Sequence, residues 1–406
     1  MSFSNPLIPA PPRVASGFIL IAVLLDMIGF GIALTVLPSL IGAMAGPSAV
    51  GLINGAFVGI WALTQFVAAP VLGSLSDRFG RRPLILASMA GLGLDYVMMA
   101  LAPNLAWLLI GRVISALTSS SFSICYAYVT DTTSEIERAA AFGRIGAMFG
   151  LGFIIGPAVG GLLGAVSLRA PFWVAAGFSL ANAVFGFLVL PESLPKDRRS
   201  PFRWRNANPL GSLRLLRSHP ELTGLSITHL LTQFAGASIA TVYVLQMMRR
   251  FGWSLQSVGL SMAFMGGVIS VIQGTLQGRI TERLGERRTM QFGLLAGALA
   301  VTGFALAPVG WAIPVVILVY GFWGLQGPAL YALLSQRVSE TEQGQLQGAL
   351  GSLTSLADGI GPFVFGAIFA ATAAGPAPGA AFLTAAAALV LALALSLRVS
   401  SVTKAE

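Results

Sequence analysis

The 406-residue sequence predicts an all-α integral membrane protein with twelve transmembrane helices in two pseudo-symmetric six-helix bundles. Three observations predict it. Apolar residues make up 55% of the chain and charged residues only 10%, against roughly a quarter charged in soluble globular domains. The apolar residues fall in runs of about 20, the length that crosses a bilayer core as a helix. Motifs in the first half of the chain recur at a fixed spacing in the second. This composition excludes a disordered chain, a soluble multidomain enzyme and a disulfide scaffold. The single cysteine, Cys125, cannot form an intrachain bridge. One cysteine and two histidines leave no zinc or iron site, and no cofactor or ATP-binding loop is implied.

Apolar runs between charged or Gly/Pro punctuation give the spans in order: 17–40, 50–72, 83–102, 105–129, 142–165 and 171–190, then 221–246, 255–276, 289–307, 312–334, 347–372 and 379–398. The first run is too long for a cleaved signal peptide, carries only Arg13 before it and is followed by further spans. Placing both termini in the cytoplasm puts 20 of the 24 basic residues in cytoplasmic segments. Arg169, Arg249 and Arg250 remain outside and Arg112 falls within a span. That asymmetry sets the expected topology and accounts for the net charge of +9. The charge is spread along cytoplasmic rims and forms no single patch for nucleic acid.

Three pairs of motifs share an offset of 205 residues. DRFGRR at 77–82 matches ERLGERR at 282–288, aligning Gly80 with Gly285; Leu101-Ala102-Pro103 recurs as Leu306-Ala307-Pro308; and Ile155-Gly156-Pro157 recurs as Ile360-Gly361-Pro362. One match would be chance, whereas three at one offset indicate duplication. The expected organisation is a bundle over 1–190, a Pro- and Arg-rich cytoplasmic linker over 191–220 and a second bundle over 221–406. Halves with an even number of spans share one orientation, and such transporters bind substrate near the bilayer midplane at the repeat interface.

Three acids lie deep: Asp26 in the first span, Asp95 in the third and Asp358 in the eleventh. Each is about 14–18 Å from the cytoplasmic end at 1.5 Å per residue, and Arg112 in the fourth span lies at similar depth. A charge at the bilayer centre costs about 2.5–3.5 kcal/mol. Burial favours the protonated carboxyl and a nearby arginine favours the ionised one, so an acid held between the two can load and release a proton. The alternative is a static buried pair, such as Asp95 with Arg112, that only joins helices; Asp358 could instead face water in a cavity. Uncharged polar residues add candidate substrate contacts: Asn54 and Gln65 in the second span, His229 and Gln233 in the seventh, Gln273 in the eighth and Gln326 in the tenth. His229 and Gln233, four apart, share a helix face. Tyr96 and other aromatics could line an apolar cavity around them, although a core or lipid-facing position explains each aromatic singly better than a cavity does.

The loop after the second span holds Gly73, Asp77, Arg78, Gly80, Arg81, Arg82 and Pro83. Gly80 permits a tight turn and Pro83 suits a first helical turn. The fifth span carries Gly152, Gly156, Pro157, Gly160 and Gly161, small residues that let helices approach closely. These motifs, with Gly111-Arg112 opening the fourth span, resemble the signatures of the major facilitator superfamily. LLDMIGFGIALTVLP (24–38), ALTQFVAAPVLGSLSDRFGRRP (62–83), LDYVMMALAPNL (94–105) and QGQLQGALGSLTS (343–355) resemble its tetracycline/proton antiporter group over nearly the whole chain.

The resemblance implies the major facilitator fold and a proton-coupled antiporter that exports a small amphiphilic drug-like compound from a bacterial inner membrane by alternating access. It acts as a monomer, its partners being substrate, protons and lipid. The resemblance further implies that Asp26, Asp95 and Arg112 couple protons, that Gly73, Asp77, Arg78, Gly80, Arg81 and Arg82 form a gating loop, and that Gln65 and Gln273 face the cavity. Tyr96, His229, Gln233 and Asp358 complete the expected substrate contacts. Two departures bear on the substrate: an acid of the group's ninth helix and a histidine of its eighth are replaced by Gly297 and Ile269. A metabolite exporter or a proton-coupled uptake carrier of the same superfamily is the alternative. An intramembrane enzyme would need a nucleophile–base set, and Ser119, Ser120, Ser121 and Ser123 have no such partner in sequence.

Overall fold

The computed structural model describes residues 13–118, 121–202, 215–216, 222–339, 342–372, 375 and 377–398. Most of the 191–220 segment, together with Ser119 and Ser120, lies outside the described residues. The helices are α1 (Arg13–Ala45), α2 (Val50–Phe79), α3 (Arg81–Leu101), α4 (Leu105–Thr118), α5 (Ser121–Thr132), α6 (Glu135–Val166) and α7 (Ala170–Val189). They continue as α8 (Thr223–Phe251), α9 (Leu255–Thr275), α10 (Gln277–Leu306), α11 (Ile313–Trp323), α12 (Gln326–Ser335), α13 (Gln343–Thr372) and α14 (Ala380–Arg398). No strand occurs among the described residues, as expected where no water satisfies backbone groups.

Among the described residues, eleven helical segments are long and apolar enough to cross a membrane. Of the expected fourth span, α4 and α5 are described and residues 119–120 lie outside the described residues; α4 is a shorter apolar helix. The tenth span is α11 and α12 joined through Gly324 and Leu325. The ninth begins a dozen residues before its apolar run, because α10 continues through the Gly285 break into Gln277. The exterior is apolar: Val166, Leu188 and Trp311 are 85%, 74% and 78% exposed, a surface suited to lipid rather than water.

The described residues pack as two compact units, 13–36 with 64–202, and 37–63 with the residues from 215 onward. In the first, α3 packs on α4 and α7; in the second, α13 and α14 pack on α8 and α10 packs on α11 and α14. Residues 37–63 belong with the second unit because Gly51, Gly55 and Gly59 of α2 lie against Phe369, Pro362 and Phe363 of α13, where a Cβ would collide. Asn54 also donates to the Thr241 carbonyl at 2.8 Å.

The duplication is visible in backbone geometry. Gly80, between α2 and α3, has φ 106°, and its counterpart Gly285 has φ 75°; both are conformations that L-residues with a Cβ rarely adopt. Ala102 and Ala307 each end the following helix. Pro157 and Pro362 each lie inside one. Gly156 of α6 packs on α1, its would-be Cβ 2.5 Å from the Ile28 carbonyl, and Gly361 of α13 packs on α8, 2.6 Å from the Ala237 Cβ. Two of the expected outer arginines cap matching helix ends. Arg169 donates to the Ala100 and Ala102 carbonyls at 3.1 and 2.8 Å, and Arg250 donates to the Ala305 carbonyl.

These glycines make a test. Gly285→Ala meets nothing within 4 Å, so its cost is conformational, about 1–3 kcal/mol. Gly80→Ala adds an overlap with the Glu192 carboxylate and should cost more. Thermal unfolding in detergent should rank wild type above Gly285→Ala above Gly80→Ala.

Candidate functional site

In the first unit α3 and α4 place a charge pair inside the apolar layer. Asp95 is fully buried and Arg112 is 7% exposed; Arg112 Nη1 donates to Asp95 Oδ2 at 3.0 Å. The glycine before the arginine makes room for it: a Cβ at Gly111 would lie 2.9 Å from Asp95 Oδ1. Ser115, one turn along α4, adjoins the same carboxyl. Tyr96 is buried beside Asp95, and its ring and hydroxyl fill the notch left by Gly29 of α1. Asp26, three residues before Gly29, is half-buried and within electrostatic range of Tyr96 and Cys125. Of the expected trio, Asp95 and Arg112 are in direct contact, and Asp26 lies within electrostatic range of the neighbouring Tyr96. Gln65, on α2, is half-buried.

The loop motif forms a polar latch at one end of this unit. Arg81 Nη1 contacts Asp77 Oδ1 at 2.5 Å and Ser76 Oγ at 2.6 Å, and Arg81 Nε contacts Asp131 Oδ2 at 3.1 Å. The Arg81 amide donates to Glu192 Oε1 at 2.8 Å. Arg82 donates to the Phe187 carbonyl at 2.6 Å. Arg78 is exposed over the Phe79 ring and stands apart from the latch, whereas the Gly73 carbonyl accepts from Ser76 Oγ at 2.7 Å. Asp131 and Glu192 escaped the sequence reading; an acid closing the fourth span opposite a basic loop was the signal for Asp131. The fifth-span glycines, on α6, do what close packing requires: Gly152, Gly156 and Gly160 each abut α1 backbone or Cβ atoms, the Pro157 ring packs on Gly31, and Gly161 is buried.

The second unit carries a different polar set. His229 Nε2 lies 2.9 Å from Thr354 Oγ1, and Gln233 Nε2 donates to the same hydroxyl at 3.4 Å. Tyr331 meets the imidazole edge-on at 5.6 Å between centroids. Asp358, four residues beyond Thr354 on α13, is half-buried. Thr354, which sequence reasoning missed, joins His229 and Gln233, and Asp358 follows it one turn along the same face of α13. Gln273 stands apart: it is exposed and donates to the Gly324 carbonyl at 2.9 Å. Position 297 has no room for a side chain, because a Cβ there would fall 2.7 Å from the Trp323 indole. Ile269 packs at the Gly324 joint, 3.3 Å from where a Cβ would stand. Among the described residues no group of three potential ligands could hold a metal ion.

A twelve-span helical protein with two related units, a buried Asp–Arg pair and this loop latch is a secondary transporter in architecture. The Major Facilitator Superfamily pattern matches residues 19–362 and 278–405, and the chain belongs to that superfamily. It is 40% identical to the class C tetracycline resistance protein of Escherichia coli, covering 87% of this chain and 89% of that one. It is 39% identical to the class G tetracycline resistance protein of Vibrio anguillarum, covering 87% and 90%. Among solved structures, the human organic anion transporter MFSD10 matches with TM-score 0.70 at 25% identity, covering 95% of this chain and 100% of that chain. A nucleoside transporter shares the fold alone, with TM-score 0.79 at 15% identity over 95% and 100% of the two chains.

Gly297→Ala should lower stability by about 1–3 kcal/mol, the usual cost of overpacking, and adding Trp323→Phe should recover part of it. Thermal melts in detergent check this; an unchanged melting temperature for Gly297→Ala would mean the indole yields freely.

Proposed function

We propose that the chain is a proton-driven antiporter that exports a small amphiphilic, drug-like compound by alternating access. The observation that carries the reading is the Asp95–Arg112 pair. A fully buried carboxylate held at 3.0 Å by an almost fully buried arginine can trade that partner for a proton when the helices move. Asp26, beside Tyr96, is the second carboxylate on the proton route. Arg81 and Asp77, with Asp131 and Glu192, form the gate latch, to which Gly80 gives the turn. Gly152, Gly156, Pro157, Gly160 and Gly161 supply the closely packed α1–α6 seam. Tyr96, Gln65, His229, Gln233, Gln273 and Asp358 supply substrate contacts. The protein works as a monomer in a bacterial inner membrane with both termini cytoplasmic, supported by the bias of basic residues toward one set of loops. The resemblance to tetracycline resistance proteins supports drug export. The indole filling the space at Gly297 favours a substrate that needs no acid from α10, and so keeps a metabolite exporter or uptake carrier as the second reading.

The test uses inverted membrane vesicles with a respiration-generated proton gradient and an acid-sensing dye. Adding an exported amphiphile, tetracycline included in the panel, should dissipate the gradient in wild type and not in Asp95→Asn, which should fold normally. Full activity of Asp95→Asn would sink the proton-coupling assignment.

A further inference from the structure

The deep acids are not treated alike. Asp95 is answered by Arg112 at 3.0 Å. Asp358, among the described residues, makes no hydrogen bond or ion pair, yet sits within an apolar 30-residue helix. The duplication shows that packing does not demand an acid there. The position 205 residues earlier is Phe153, which stacks on Phe30 with centroids 6.4 Å apart. The first unit fills the place with a ring, whereas the second installs a charge.

The surroundings of that charge have two characters. Helical spacing puts 354, 358, 361 and 365 on one face of α13, and that face packs on α8. Toward one end stands the Thr354 hydroxyl with the Gln233 amide. Toward the other, Gly361 brings α13 against α8 beside Phe234, whose half-buried ring rests on the fully buried Phe365 with centroids 4.8 Å apart. One carboxylate, an aromatic face and neutral polar groups form the recognition set for a monovalent organic cation. A divalent ion takes several oxygen ligands.

We propose that Asp358 is the anionic anchor of an organic-cation site on the α8–α13 face. The charge of a lipophilic monovalent cation meets the carboxylate, its apolar body lies on Phe234, and its polar substituents reach Thr354 and Gln233. The inference rests on the exporter reading and names the substrate class for it: hydrophobic cations, such as protonated amines.

Binding tests the site without requiring transport. Purified full-length protein in detergent is titrated with labelled tetraphenylphosphonium, a permanent monovalent cation, with neutral triphenylphosphine oxide as competitor. Wild type should bind the cation, and the neutral compound should not displace it at equal concentration. Asp358→Asn should weaken binding by about tenfold or more, the usual scale for removing one partner of a desolvated charge pair. Asp358→Glu should keep most of the affinity, which separates loss of charge from loss of fold. Absent binding in wild type, displacement by the neutral compound, or unchanged affinity in Asp358→Asn overturns the proposal. If binding depends on Asp358 while no compound dissipates the vesicle gradient, the exporter reading fails and the cation site stands.

Discussion

A charge inside a hydrocarbon layer must be answered by an opposite charge, a proton or a ligand, because the layer offers no water to do so. The polar architecture of this protein follows from that constraint. Arg112 answers Asp95 across α3 and α4, and Gly111 exists as glycine so that the two can meet without a methyl group between them. At the polar end of the first unit, where solvent can share the work, the charges form a wider web. There Arg81 bridges two carboxylates, its amide reaches a third, and none of these contacts carries the helix packing alone. Strength and mobility are thereby separated. The buried pair is costly to break and suits a gated proton step. The latch is a set of partly exposed bonds, each individually weak, that together can open and close.

The second constraint is the need for helices to touch closely where apolar attraction between them is no greater than to lipid. Glycine solves it twice, at matched positions. Gly156 abuts α1 and Gly361 abuts α8. Gly80 and Gly285 break the chain with positive φ at equivalent points. The two units therefore share their backbone devices and differ in their chemistry. The first keeps an acid–arginine pair and a tyrosine. The second keeps a histidine–threonine–glutamine group, an unanswered acid, and an indole where a side chain at position 297 would stand. A duplicated scaffold thus carries different polar side chains in its two units.

Hydropathy and repeat spacing are properties read along a chain, so the apolar helices and the matched motifs of the two halves were legible in the sequence. The nearness of His229 to Gln233 followed from helical period alone. Partner identity was not legible. Arg81 meets Asp131 and Glu192 across 50 and 111 residues, Thr354 joins His229 across 125, and Trp323 fills the space at Gly297 from the neighbouring helix. Each of these depends on how far a helix is rotated about its axis and shifted along it. Small residues set those two quantities by what they allow to approach, and apolar runs do not encode them. The packing of residues 37–63 with α13 has the same origin, since it is decided where Gly51, Gly55 and Gly59 find a facing backbone. Sequence alone determined that this chain crosses a membrane as paired helical bundles with acids at depth. Tertiary structure decided that Asp95 is the acid paired with Arg112, because pairing is a matter of rotation and register between packed helices.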